Sequence, residues 1–171
     1  MTDLRLRPLR LDDEAEFRAA HESLAAENFS FGPNFEPDRP WAAYVEKLEK
    51  ARTGGMFRPT DPVAATLLVA DVDCVIVGRA SIRHALDEFH ATEGGHIGYC
   101  VLRAYRRRGY ATEILRQSLA VARSVGVDRV LVTCDDDNVG SATVIERCGG
   151  VFESLVEPAR GGTPKRRYWI D

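Results

Sequence analysis

Val101-Leu-Arg-Ala-Tyr-Arg-Arg-Arg-Gly-Tyr-Ala-Thr112 runs from the end of a strand, through a cluster of arginines, into the start of a helix. Downstream, Ala111, Ile114, Leu115, Ser118, Leu119, Ala122 and Val125 recur at helical spacing, with Glu113, Arg116, Gln117 and Arg123 on the other face and Gly126 as the stop. Upstream, His96 to Leu102 has the composition of a strand. The charges at the junction are unusual. Arg106, Arg107 and Arg108 precede a helix amino terminus, whose dipole disfavours each cation by roughly 0.3–1 kcal/mol. A polyanion held in this turn resolves the conflict, because bare amides and guanidinium groups would both face its oxygens. Gly109 and the small Ala111 would then allow close approach of the backbone. Taken alone, the three arginines also fit a solvated charge run.

Working outward, Leu4 and Leu6 alternate with basic residues as a short strand ended by Pro8. Asp12, Asp13 and Glu14 load the first turn of a helix continued by Ala15, Phe17, Ala20 and Leu24, and they read as caps rather than catalysts. Asn28 to Pro40 holds three Pro and three Phe, an irregular loop with aromatic anchors. Trp41 to Lys50 is helical, and Thr53 to Pro62 is a Gly- and Pro-rich turn region. Ala64 to Val72 and Cys74 to Ile82 form a hairpin turning through Asp71 to Asp73, followed by a polar loop around Asp87 to Gly95. Val130 to Cys134 is a strand, Ser141 to Cys148 a short helix closed by Gly149 and Gly150, and Val151 to Val156 a strand; Arg167 to Ile170 closes the sheet. The expected fold is mixed α/β: residues 1–171 make one domain around a single mixed, mostly antiparallel sheet flanked by helices.

Composition bounds the partners. The chain has 171 residues, 44% of them hydrophobic, enough for one compact core. Its 26 acidic and 23 basic residues give a net charge of −3 and no continuous cationic stripe, which argues against nucleic acid and membrane surfaces as partners. Cys74, Cys100, Cys134 and Cys148 are widely spaced and read as buried, reduced thiols. Without an apolar leader or a long apolar run, the expectation is a cytoplasmic protein. His84, His90 and His96 recur every six residues, a spacing that suits no metal, and none is expected. The absence of G-x-x-x-x-G-K-[ST] argues against nucleotide hydrolysis.

Arg106-x-x-Gly109-x-Ala111, following the strand that ends at Val101, resembles the pyrophosphate-binding motif Q/R-x-x-G-x-G/A of the GNAT superfamily of acetyl-CoA-dependent N-acetyltransferases. The likeness extends from about Leu4 to Phe152 in the order of elements and is most specific between Gly98 and Gly150. Arg167-Tyr-Trp-Ile170 resembles the ending of a little-characterised subgroup of predicted acetyltransferases. The resemblance implies acetyl-CoA as co-substrate, strands splayed around it, and contacts from Tyr99, Val101, Arg106, Arg107, Arg108, Gly109, Tyr110, Ala111, Thr112, Asn138 and Ser141. Asn138 would meet the pantetheine arm, though it equally fits a cap for the helix that follows.

The implied chemistry is direct transfer of an acetyl group to a primary amine in a ternary complex. Main-chain groups of His96 to Leu102 would pair with the pantetheine amides, and an amide near Val101 would stabilise the oxyanion. Transfer also needs a base and a donor for the departing thiolate. Counting seven residues on from Asn138 reaches Ile145, where many family members carry the acidic Tyr. Ser141 or Tyr99 could replace it, and Glu93 or His96 could serve as base. A covalent route through Cys134 or Cys148 is disfavoured, since no His is near either in sequence. The acceptor, a small-molecule or peptide amine, is expected to meet the loop carrying Phe29, Phe31 and Phe35, with Trp41 beside it. A monomer or homodimer is expected. The alternative is an acyl-CoA-binding sensor of the same fold without turnover.

Overall fold

The structure is a computed structural model that describes residues 3–54 and 63–171. Its strands are β1 (Arg5–Arg7), β2 (Ala65–Val72), β3 (Val75–Arg83), β4 (Ile97–Val101), β5 (Val130–Asp135), β6 (Val151–Val156) and β7 (Lys165–Ile170). The helices are α1 (Glu14–Ala25), α2 (Trp41–Arg52), α3 (Tyr110–Ser124) and α4 (Val139–Arg147). Most of the expected turn region Thr53 to Pro62 lies outside the described residues. No helix among the described residues is long and apolar enough to cross a membrane.

All strand pairings are antiparallel, and the β layer is parted into two blocks, ordered β1-β2-β3-β4 and β5-β7-β6. The last strand therefore does not close an edge; it lies between β5 and β6. β4 and β5 each end a block and face one another across the parting. Period-2 alternation sends the two faces of the first block into separate cores. Leu68, Ala70, Val77, Ala80, Ile82, Ile97 and Val101 pack with Ile114, Leu115 and Leu119 of α3 and with Ala142 and Ile145 of α4. Leu67, Val69 and Ile76 pack with Phe17, Leu24, Trp41, Tyr44 and Leu48 of α1 and α2. The apolar stripe expected for α3 is the buried one, except that Ala111 is only partly buried and Val125 falls just past the helix and is exposed.

Two local details differ from the sequence reading. The β2–β3 turn is made by Asp73 and Cys74, at φ +52° and +65°, with Asp71 accepting the Cys74 amide at 3.0 Å. Cys74 is consequently exposed, not buried, while Cys100 and Cys148 are partly buried and Cys134 is buried. The polar loop before β4 winds into a π-helix over His90–Gly94, which composition did not signal. Asp13 does cap, accepting the Arg10 amide at 2.7 Å, but it is also buried and paired with Arg7, which holds Asp71 as well. In the loop after α1, Phe31 and Phe35 join Phe17, Trp41 and Tyr44 in one aromatic cluster, leaving Phe29 exposed.

Candidate functional site

β4 and β5 meet at one end only. The His96 amide donates to the Leu131 carbonyl at 2.7 Å, and the Leu131 amide donates to His96 Nδ1 at 2.9 Å. Just before β4, the Thr133 hydroxyl donates to the Glu93 carbonyl at 2.6 Å, tying the π-helix to β5. Beyond this clamp no ladder joins the strands. The register with β3, anchored by the Leu102 amide on the Val77 carbonyl, turns the main-chain groups of Gly98 and Cys100 toward β3. Those of Ile97, Tyr99 and Val101 consequently face the gap toward β5.

At the far end of the gap lies the arginine turn. Arg107 and Gly109 both take left-handed conformations, at φ +67° and +83°, and α3 begins at Tyr110 with no side-chain cap. The amides of Gly109, Tyr110, Ala111 and Thr112 have no acceptor among the described residues. The other helix beside the gap, α4, is different. Asn138 Oδ1 accepts the Ser141 amide at 3.0 Å, so that helix supplies its own cap. The contrast leaves the first amides of α3 open to an external acceptor, where those of α4 are partly satisfied from within.

The three arginines divide. Arg106 is already engaged: Nε donates to the Val101 carbonyl at 3.0 Å and Nη2 pairs with Glu27 at 2.8 Å. Arg108 donates to the Ala104 carbonyl at 3.2 Å and lies over the Tyr105 ring. Arg107 is exposed and forms no ion pair among the described residues.

The residues expected to handle protons separate just as clearly. Tyr99 Oη of β4 and Ser141 Oγ of α4 are 2.9 Å apart. Burial pushes the Tyr99 hydroxyl up to about 12, with the Ser141 contact opposing, so it carries its proton at neutral pH. His96 is buried and its Nδ1 lone pair is occupied by the Leu131 amide, which places the neutral ring's proton on Nε2. Burial, aided by Arg83, lowers its pKa. The imidazole is thus a clamp between the sheet blocks, and protonating Nδ1 would break that clamp. Glu93 has one carboxylate oxygen on the Ala159 amide at 2.9 Å and stays partly exposed. Ile145 is fully buried in the core. Burial raises the pKa values of the Cys134 and Cys148 thiols, which weighs against a covalent route. His84 and His90 bond separately to Thr66 and Asp87.

The sequence reading missed Arg79, a buried cation whose donors all reach main-chain carbonyls: Phe31 and Ser30 at 2.9 Å and Gly98 at 3.2 Å. It also missed Glu27. An arginine flanked by Gly78 and Ala80 within a strand gives a signal, since buried arginines are rare unless partnered.

A family model described as an acetyltransferase (GNAT) domain matches residues 3–151. No curated protein is similar to the chain at a significant level. Among solved structures, an acetyl transferase from Salmonella typhimurium that modifies the N-terminal serine of a 50S ribosomal subunit protein is similar with TM-score 0.71 and 16% identity, over 100% of this chain and 97% of that one. Mycobacterium smegmatis RimJ in complex with CoA-disulfide is similar with TM-score 0.70 and 19% identity, over 98% of this chain and 81% of that one. The putative acetyltransferase yncA from Salmonella typhimurium, with its cofactor acetyl-CoA, has TM-score 0.66 and 15% identity, over 98% and 92% of the two chains.

Proposed function

The chain belongs to the GNAT acetyltransferase family, and from that premise we propose that it transfers an acetyl group from acetyl-CoA directly to a primary amine. The observation that carries the reading is the uncapped α3 turn, with four amides free beside a cationic loop. These donors fit a diphosphate, which accepts from several N–H groups at once. Solved relatives of the same fold hold acetyl-CoA or a CoA disulfide, which supports the same assignment.

Acetyl-CoA supplies the thioester whose C–S bond breaks as the amine forms the new C–N bond. Gly109, Tyr110, Ala111 and Thr112 offer amides to the diphosphate, and Arg107 and Arg108 contribute local positive charge. Arg106 acts more through shape, since its Nε fixes the Val101 carbonyl on the β4 edge. The gap-facing groups of Tyr99 and Val101 pair with the pantetheine amides as an added strand would. An amide from this edge stabilises the oxyanion. Tyr99, protonated and linked to Ser141, returns a proton to the sulfur. Glu93, rather than His96, takes the proton of the amine through a water, because the His96 lone pair is committed. Asn138 organises the first turn of α4 and so places Ser141.

The test is free-thiol release from acetyl-CoA across an amine panel, comparing the native chain with Tyr99→Phe. Amine-dependent release is expected, with kcat lowered about 100-fold in the variant and acetyl-CoA affinity preserved. Tight acetyl-CoA binding without release on any amine would refute transfer and favour an acyl-CoA sensor.

A further inference from the structure

Three main-chain amides of β4 face the gap, those of Ile97, Tyr99 and Val101, and each belongs to a trans peptide whose carbonyl points the other way, toward β3. The ladder running from Leu102 on Val77 to Arg83 on His96 fixes what those carbonyls meet. The His96 carbonyl, behind the Ile97 amide, accepts from the Arg83 amide at 2.8 Å. The Cys100 carbonyl, behind the Val101 amide, pairs with the main chain of Arg79. The Gly98 carbonyl, behind the Tyr99 amide, pairs with Ser81 and also accepts from the Arg79 guanidinium, whose Nη1 lies at 3.2 Å. Among the described residues, it alone of the three has a side-chain cation bonded to it.

Arg79 is buried, and its other donors end on the Phe31 and Ser30 carbonyls, both at 2.9 Å. No carboxylate pairs with it among the described residues. Holding the loop after α1 takes donors, and a neutral amide side chain supplies those without the desolvation cost of a buried charge. What only the charge provides is a field. Inside a protein, a cation on the carbonyl end of a peptide polarises the whole unit, and the N–H at the other end becomes a stronger donor.

We propose that Arg79 is a positioning residue for the transfer step, acting through the peptide between Gly98 and Tyr99 to strengthen the Tyr99 amide as a donor to the thioester oxygen. This rests on the transfer reading above. As the amine nitrogen bonds to the acetyl carbon, the carbonyl electron pair moves onto oxygen. It returns when the C–S bond breaks and the sulfur takes its proton from Tyr99. The Tyr99 amide faces the oxygen while negative charge sits there, and Arg79 stands behind the same peptide with the opposite sign. The Val101 amide and the Tyr99 carbonyl are left for the pantetheine arm. Two hydrogen bonds and a peptide part the guanidinium from the oxyanion, roughly 8 Å, where an effective dielectric of about 20 makes the charge worth about thirtyfold in rate.

Arg79→Gln keeps a donor without the charge, Arg79→Met keeps neither, and Arg79→Lys keeps the charge. For each, three things are measured: turnover across an amine panel that includes a Ser-Ala-Ala peptide with a free amino terminus and spermidine, acetyl-CoA affinity by calorimetry, and the infrared band of bound acetyl-CoA isotope-labelled at the thioester carbonyl. In the Gln and Met variants, kcat should fall about tenfold to thirtyfold while amine KM and acetyl-CoA Kd stay within about threefold, and the carbonyl band should move to higher frequency. Arg79→Lys should recover most of both. A band unmoved in the two neutral variants, or a loss confined to amine KM, overturns the electrostatic role and leaves Arg79 as a tie for the loop. The native chain offers a check that needs no substitution. On adding acetyl-CoA, the Tyr99 amide proton should shift further downfield in NMR spectra than those of Ile97 and Val101, and a smaller shift overturns the proposal even where no neutral variant folds. Turnover undiminished in the Gln and Met variants overturns the role of Arg79 alone, whereas native protein silent across the panel overturns the transfer reading.

Discussion

Replacing Gly109 by Ala and by Asp separates backbone strain from electrostatics at one position. Gly109 sits at φ +83°, and an added Cβ meets nothing within 4 Å, so the Ala variant suffers only the left-handed penalty of about 1–2 kcal/mol. For a chain of this size that lowers Tm by about 2–8 °C. Asp carries a comparable strain, but its carboxylate lies at the positive end of α3 and regains about 0.3–1 kcal/mol, so it should be no less stable than Ala. For the ligand the order reverses. A unit charge about 4 Å from a diphosphate is repelled by about 1 kcal/mol per phosphate charge even at the dielectric of water. Two such charges weaken binding by about 2 kcal/mol, roughly 30-fold. The Asp carboxylate also competes for the bare amides. Thermal melts and calorimetric titration with acetyl-CoA give both orders, and raising salt should narrow the gap between the variants' affinities. Equal acetyl-CoA affinity for Ala and Asp would refute a diphosphate seated against this turn.

Glu27→Gln releases Arg106 from its partly exposed ion pair, so acetyl-CoA binding should tighten up to about fivefold, the scale of an exposed pair; weaker binding in calorimetry would mean the pair is part of the site's shape. Asn138→Ala removes the α4 cap and should cost about 1 kcal/mol in urea unfolding, with a smaller effect on acetyl-CoA affinity than Gly109→Asp. Burial lowers the pKa values of His21, His84 and His96 in the folded chain, so below about pH 6.5 the unfolded chain binds protons more readily. Their contribution is therefore intact above that pH and is lost as the pH falls through the lowered values. Urea midpoints from about pH 7 to about pH 5 should fall less steeply in His96→Asn than in the native chain, and an unchanged slope would exclude His96 as a contributor.

The parts of the fold governed by periodicity were legible in the sequence. The α3 stripe of Ile114, Leu115, Ser118, Leu119 and Ala122 is buried as expected, because an amphipathic helix has one way to face a core. Gly126 stops the helix at φ +89°, where a side chain would be strained. The uncapped turn was legible through a local conflict of charge and dipole. The destinations of long side chains were not. Arg106 has the right place in the motif, yet its fork closes on Glu27, 79 residues earlier in the chain, and no local pattern encodes that contact. His96 likewise reads as a base until Leu131, 35 residues on, takes its lone pair. The π-helix depends on the Thr133 hydroxyl and the Arg167 guanidinium holding its carbonyls, so its cause lies in other elements.

A β layer pinned at His96 and Leu131 and unzipped beyond them behaves mechanically as a pair of leaves on one rivet. Amides of Tyr99 and Val101 should exchange with deuterated water far sooner than those locked between β5 and β7. Filling the gap with an extended polar chain would then act as the missing plank, stiffening both leaves together. Heat resistance of the loaded protein should therefore climb with ligand concentration, a rise set by mass action rather than by any new contact inside the polypeptide.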